Sequence, residues 1–169
     1  DAAGNTGSVT AGLNYDATKP TVTYIGNAGT YTIDQTVNIT CQASDNLSGV
    51  ASNTCANISG PAYSFATGNN SFSATATDNA GNTGNGSTGF TVKATFDSLC
   101  TLSRQFSTDP SVAQGLCDKL AAAKAAAAAG DTKTKNNNLN AFRQQVAAQS
   151  GKALTGQQAT ILTNLSKTL

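Results

Sequence analysis

The sequence predicts an α+β chain in two parts, an all-β sandwich followed by a small disulfide-linked helical bundle. Three observations carry this prediction. Up to about residue 95 the apolar residues alternate with a period of two. Beyond it they recur at helical spacing between capping residues. The charge changes sign at the same place: residues 1–96 hold two basic residues (Lys19 and Lys93) and five Asp, a balance of −3. Residues 97–169 hold eight basic residues and four Asp, a balance of +4. A run of strands followed by a run of helices is the pattern of two separate domains.

The strands come first. Val37, Ile39, Cys41 and Ala43 alternate with Asn38, Thr40 and Gln42, which puts one set on a buried face. Phe72, Ala74 and Ala76 alternate with Ser and Thr, as do Phe90, Val92 and Ala94 with Thr91 and Lys93. Residues 20–25 and 61–65 are further strand candidates. Gly/Asn-rich turns are expected at 26–29, 45–49, 68–70 and 78–81, and short strands so punctuated point to a sandwich.

In the second part, Asp97 is expected to cap a helix carrying Leu99, Leu102 and Phe106. Asp109-Pro110 reads as an N-cap followed by proline at the first helical position. The next helix carries Val112, Leu116 and Leu120, runs through the alanines at 121–129 and stops at Gly130. A third holds Leu139, Phe142 and Val146 and ends near Gly151. Thr155 and Gln158 form a capping box ahead of Ile161, Leu162, Leu165 and Leu169.

A repeat suggests a larger parent. Asp1-Ala-Ala-Gly-Asn-Thr-Gly7 recurs as Asp78-Asn-Ala-Gly-Asn-Thr-Gly84, and Gly12-Leu13 answers Gly89-Phe90 at the same offset. Residues 1–15 therefore read as the last strand or strands of a preceding repeat. Residues 16–95 read as a complete repeat, and 96–169 as a small four-helix bundle. The start at Asp1, without Met, reads as a processed or excised piece.

Residues 20–95, through Ile39-Thr-Cys-Gln-Ala-Ser-Asp45, Ser48-Gly-Val-Ala-Ser52 and Ser73-Ala-Thr-Ala-Thr-Asp-Asn-Ala-Gly-Asn82, resemble the immunoglobulin-like repeats of bacterial secreted and surface proteins. That resemblance implies an immunoglobulin-like spacer or adhesive stalk. Residues 96–169 resemble the FIMAH-type helical module at the carboxyl end of secreted bacterial metallopeptidases and polysaccharide-degrading enzymes. The segments that carry it are Leu116-Cys-Asp-Lys-Leu-Ala-Ala-Ala-Lys124, Gly130, Leu139-Asn-Ala-Phe142 and Gly151-Lys-Ala-Leu-Thr155. It implies binding of undersulfated glycosaminoglycan.

The chemistry is bounded by what is missing. There is no His or Glu, so the usual acid–base, triad and zinc mechanisms lose their main participants, and no enzyme is expected. Only 11% of residues are charged, against about 25% in an average soluble protein. No apolar run approaches the roughly 20 residues of a membrane span. Four cysteines in such a chain fit a disulfide framework outside the cell or at its surface, against the alternative of four reduced thiols in a cytosolic core. Three pairings are open, and the domain boundary favours Cys41–Cys55 and Cys100–Cys117.

Asp16, Asp45, Asp78, Asn79 and Asn82 all fall in turns or the linker, where hard oxygen ligands could hold Ca²⁺; the alternative is that Asp and Asn favour turns for local reasons. Lys119, Lys124, Lys133, Lys135, Arg143 and Lys152 are candidate contacts for a glycan or cell-surface polysaccharide, against the alternative of an ordinary solvated surface. Few aromatics are free to stack bases, so nucleic acid is not an expected partner. The expected function is a non-catalytic spacer with a binding module. The alternative is a structural or adhesin segment whose residues 1–15 exchange strands with identical subunits or neighbouring repeats to build fibres.

Overall fold

A computed structural model describes residues 2–4, 6–9 and 15–169. Seven strands come first: β1 (Thr21–Ile25), β2 (Thr30–Thr32), β3 (Thr36–Ser44), β4 (Val50–Asn53), β5 (Ile58–Pro61), β6 (Gly68–Asp78) and β7 (Thr83–Lys93). They form two sheets, one in the order β1-β3-β5 and one in the order β2-β7-β6-β4. All pairings are antiparallel except β2 with β7, where Tyr31 lies opposite Val92 in a parallel register.

The predicted alternation holds at the centre of the sandwich. Val37, Ile39, Ala74, Ala76, Phe90 and Val92 are buried, and Cys41 shares their face half-buried. Tyr31, Phe65, Phe72 and Phe90 pack as a linked aromatic group, mostly edge to face at ring-centre distances of 5.2–6.3 Å. Such contacts let a core with few aromatics gain more than area burial alone.

Two local expectations are corrected. Residues 61–65 do not form a strand: β5 ends at Pro61, and Ala62–Ser64 is a single 3-10 turn, closed where the Ser64 hydroxyl donates to Pro61 O at 2.7 Å. Residues 68–70 are not a turn but the start of β6, continuing the ladder with β7 (Gly68 opposite Val92).

The inner face of β7 has a special feature near its start. A Cβ built on Gly84 would lie 1.8 Å from Pro20 O, and one on Gly86 would lie 2.3 Å from Val22 O. The sheets therefore meet backbone to backbone where β1 crosses β7. Glycine is required there for space, since neither residue has a positive φ.

Four helices follow: α1 (Phe96–Phe106), α2 (Pro110–Ala128), α3 (Thr132–Gln149) and α4 (Gly156–Leu165). The cap of α1 is Thr95, not Asp97. The Thr95 hydroxyl accepts from Ser98 N–H at 3.0 Å while the Ser98 hydroxyl accepts from Thr95 N–H at 2.9 Å. Asp97 sits inside the first turn, where a negative charge still suits the helix dipole. The Asp109 cap with Pro110 and the Thr155/Gln158 capping box form as expected. Helix α2 ends in a Schellman motif: Gly130 N–H reaches Ala127 O, Asp131 N–H reaches Ala126 O, and Gly130 adopts φ +73°.

Both favoured disulfides are present, Cys41–Cys55 with Cα atoms 5.5 Å apart and Cys100–Cys117 with Cα atoms 4.8 Å apart. The first ties β3 to the loop after β4, and the second ties α1 to α2. The buried residues of sandwich and bundle form one connected apolar cluster. The junction runs through Tyr63 on the 3-10 turn, whose ring meets Phe106 of α1 edge to face at 5.2 Å. Among the described residues no strand packs broadly on a helix, so the seam is narrow.

The expected closing strand of a preceding repeat, residues 1–15, falls partly on 1, 5 and 10–14, which lie outside the described residues. Of the others, residues 2–4 form a turn and bend, and 6–9 belong to no strand. Strand exchange by this segment likewise rests partly on residues outside the described set. Among the described residues no helix is long and apolar enough to cross a membrane.

Candidate functional site

Two places gather chemistry-bearing side chains. The first is one end of the sandwich, where three segments distant in sequence converge. Asp16 lies in the stretch leading into β1, Asp45 in the loop between β3 and β4, and Asp78 at the end of β6. One carboxylate oxygen from each lies within 4.8 Å of those of the other two. Asp78 is 2% exposed. Its Oδ1 accepts from the N–H groups of Ala80 and Asn82 at 2.9 and 2.8 Å, closing the β6–β7 hairpin. Asp45 Oδ2 accepts from the N–H groups of Leu47 and Gly49 at 3.0 and 2.8 Å. Its other oxygen, Oδ1, is sealed from solvent and accepts no hydrogen bond.

Asp16 ties the entering chain to this end. Its Oδ1 accepts from Thr18 N–H at 2.8 Å and its Oδ2 from Ser48 N–H at 3.0 Å. The Ser48 side chain beside it and the Thr18 amide hold its carboxyl below the ordinary Asp range.

Asn79 and Asn82, grouped with the carboxylates in the sequence, play a different part here. The Asn79 amide donates to Ser48 O and Gly49 O at 2.7 and 3.1 Å. The Asn82 amide donates to Asp16 O at 3.0 Å and to Asp78 Oδ2 at 2.8 Å. Both fasten the loops that carry the carboxylates.

The second place is a groove of about 510 Å³ between α1 and α2. Its floor is the Cys100–Cys117 bridge with Leu120, and Phe96 stands half-buried at one side. Ala121, Ala125 and Ala128, at i, i+4 and i+7 on α2, leave space that larger residues would fill. The rim is polar. Arg104 Nη2 donates to Gln114 Oε1 at 3.2 Å, and Gln114 Nε2 donates to Asp118 Oδ1 at 2.7 Å. Lys124 crosses to Asp97 at 2.6 Å, an exposed pair of small energetic worth. Two cations and two carboxylates balance along the rim.

The six candidate cations do not act as one group. Lys124 is on this groove. Lys119 Nζ donates to Gly115 O at 3.3 Å on its own helix. Lys135 Nζ donates to the main-chain oxygen of Leu169 at 2.7 Å, and Arg143 Nη1 reaches the Ser166 hydroxyl at 3.3 Å. These two tie α3 to the 3-10 turn that follows α4. Lys133 and Lys152 are exposed. Arg104, Gln114, Asp118 and Phe96 were not among the sequence-derived candidates. The spacing of Gln114 and Asp118 around Cys117, beside a row of small residues, is the signal that marks them.

Comparison with family models, with curated proteins and with solved structures gives no match. The class the fold defines is a two-sheet β domain joined to a disulfide-stapled helical bundle.

Proposed function

We propose that the chain is a non-catalytic extracellular module in which an immunoglobulin-like sandwich serves as spacer and the helical bundle binds a glycan. Several features support the spacer. The two-sheet strand order, with β2 running parallel to β7 at the edge of its sheet, suits an immunoglobulin-like sandwich. Two closed disulfides suit an oxidising compartment.

The observation that carries the binding reading is the α1–α2 groove. Sugars present apolar ring faces beside hydroxyls. A site for them pairs an aromatic surface with planar amide, carboxylate and guanidinium groups. Phe96, Asp97 and Arg104 from α1 with Gln114, Asp118 and Lys124 from α2 supply that pairing around the groove. The balanced charges favour sugar units of low charge over densely sulfated chains. The FIMAH-type resemblance of residues 96–169 points the same way.

A panel of immobilised glycans probed with the full chain tests the reading, with unsulfated glycosaminoglycans and neutral glucans as its main members. The expected result is selective retention, lost in Gln114→Ala and Lys124→Ala. Silence across the panel, or retention unchanged by both substitutions, removes the groove as a glycan site.

A further inference from the structure

We infer that the end of the sandwich binds one calcium ion between Asp16, Asp45 and Asp78, and that the ion locks the segment entering β1 to the two loops below it. The inference goes beyond the glycan reading and concerns the opposite part of the chain.

The spacing of the carboxylates suits a shared ion. Oxygens bind calcium at roughly 2.4 Å, so two oxygens on one ion lie at most about twice that far apart. The three carboxylate oxygens are all within 4.8 Å of one another, the spacing that a shared ion requires. Three carboxylates held so close repel one another when ionised, and among the described residues no Lys or Arg pairs with any of them.

Asp45 Oδ1 is closed off from water and has no hydrogen-bond donor. Asp45 Oδ2, on the same carboxyl, takes two amide donors, so the side chain is anchored with its other oxygen bare. A buried polar atom left without a partner is costly, and a bare carboxylate oxygen calls for a cation. The Ser48 hydroxyl oxygen, on the residue whose N–H reaches Asp16, is likewise buried without a hydrogen-bond partner, a neutral donor of the kind that completes a calcium shell.

The donor set selects the metal. Every available donor is a hard oxygen, there is no His, and all four cysteines are in disulfides, which excludes the ligands that soft and borderline metals prefer. Three loops of different origin can adapt to the irregular shell of calcium more readily than to the strict octahedron of magnesium. Water completes the coordination. Asn79 and Asn82 are positioning residues in this arrangement, because their amide nitrogens face the main-chain and carboxylate oxygens that fix the loops.

The consequence is mechanical. Asp16 is joined to Ser48 and Asn82 by single hydrogen bonds across long stretches of sequence. An ion shared with Asp45 and Asp78 turns those bonds into a rigid brace, fixing the direction from which the chain enters the sandwich.

The test is a calorimetric titration of the chelator-treated full chain with calcium chloride, with thermal melts in calcium, in magnesium and in chelator. The account predicts one ion per chain and a melting temperature raised by about 5–10 °C when calcium is about a hundredfold above its Kd. Asp45→Asn, nearly isosteric, is expected to weaken binding at least about tenfold and to abolish the thermal response. Asp16→Asn, in the segment ahead of β1, is the second variant, with circular dichroism confirming that both remain folded. Absence of heat with identical melts in calcium and chelator overturns the inference. So does binding by both folded variants as tight as the unaltered chain, and an equal response to magnesium overturns the choice of metal.

Discussion

Replacing Gly84 by alanine tests how the two sheets are held together. The added Cβ would stand 1.8 Å from Pro20 O and 2.9 Å from Pro20 C, distances at which the chain must move. The obstructing atoms are backbone, so no side-chain rotation relieves the contact. Strand β1 has to lift from β7, and Val22, buried in one cluster with Ala74 and Ala76, lifts with it. Overpacking of this kind costs about 1–3 kcal/mol and occasionally more. For a chain of this length each kcal/mol lowers the melting temperature by roughly 2–4 °C, so a drop of about 2–12 °C is expected. Gly156→Ala is the control. It lies at the first position of α4, its φ is not positive, and its added Cβ would meet nothing nearer than 3.9 Å. Alanine there is expected to leave stability unchanged or raise it by up to about 1 kcal/mol. Urea unfolding followed by circular dichroism reads both variants. An unfolding midpoint for Gly84→Ala equal to that of the unaltered chain would refute the backbone-to-backbone crossing.

Two further predictions concern the bundle. Replacing Cys100 and Cys117 together by serine removes a bridge between residues 17 apart, and the loop-closure relation gives a loss of about 3 kcal/mol, read as a lower midpoint of helix loss in urea. The second concerns acid. The Thr134 side chain and N–H hold the Asp131 carboxyl below its ordinary value at the start of α3. A depressed folded-state pKa stabilises fully above the unfolded value of about 3.9 and is lost as the pH falls through the folded value. Asn is as good a cap but does not titrate. The melting-temperature advantage of the unaltered chain over Asp131→Asn should therefore be present at neutral pH and vanish in acid, and a difference independent of pH would contradict the assignment.

What could be read in the sequence followed the strength of the local rule. Strands β3, β6 and β7 were legible because one face is buried and the other wet, which writes a period of two. Helices α2 and α4 were legible because Asp109-Pro110 and Thr155/Gln158 fill orphan amide positions that the helix itself leaves open. The short strands β2 and β5 were not, since three or four residues carry too little pattern and their pairing comes from distant partners, Thr91 to Lys93 for β2 and Thr36 to Ile39 for β5.

The cap of α1 was misplaced for a related reason. Thr95 and Asp97 are both capping types, and the Ser98 hydroxyl, which answers Thr95, decides between them. At the candidate sites, turn-forming Asp and Asn could be picked out. Their convergence could not, because Asp16, Asp45 and Asp78 meet only once the sandwich is closed. The groove between α1 and α2 was hidden in the alanine run, which reads as helix propensity but acts here through the space it leaves.

The proposed glycan binding is tested most directly by amide NMR of the isotope-labelled full chain during addition of an unsulfated glycosaminoglycan oligosaccharide. The account predicts saturable shifts concentrated at Phe96, Asp97, Gln114, Asp118 and Lys124, with the sandwich strands unmoved. Shifts scattered over the exposed Lys133 and Lys152 with none at the groove, or no shifts with any sugar on the panel, would contradict it.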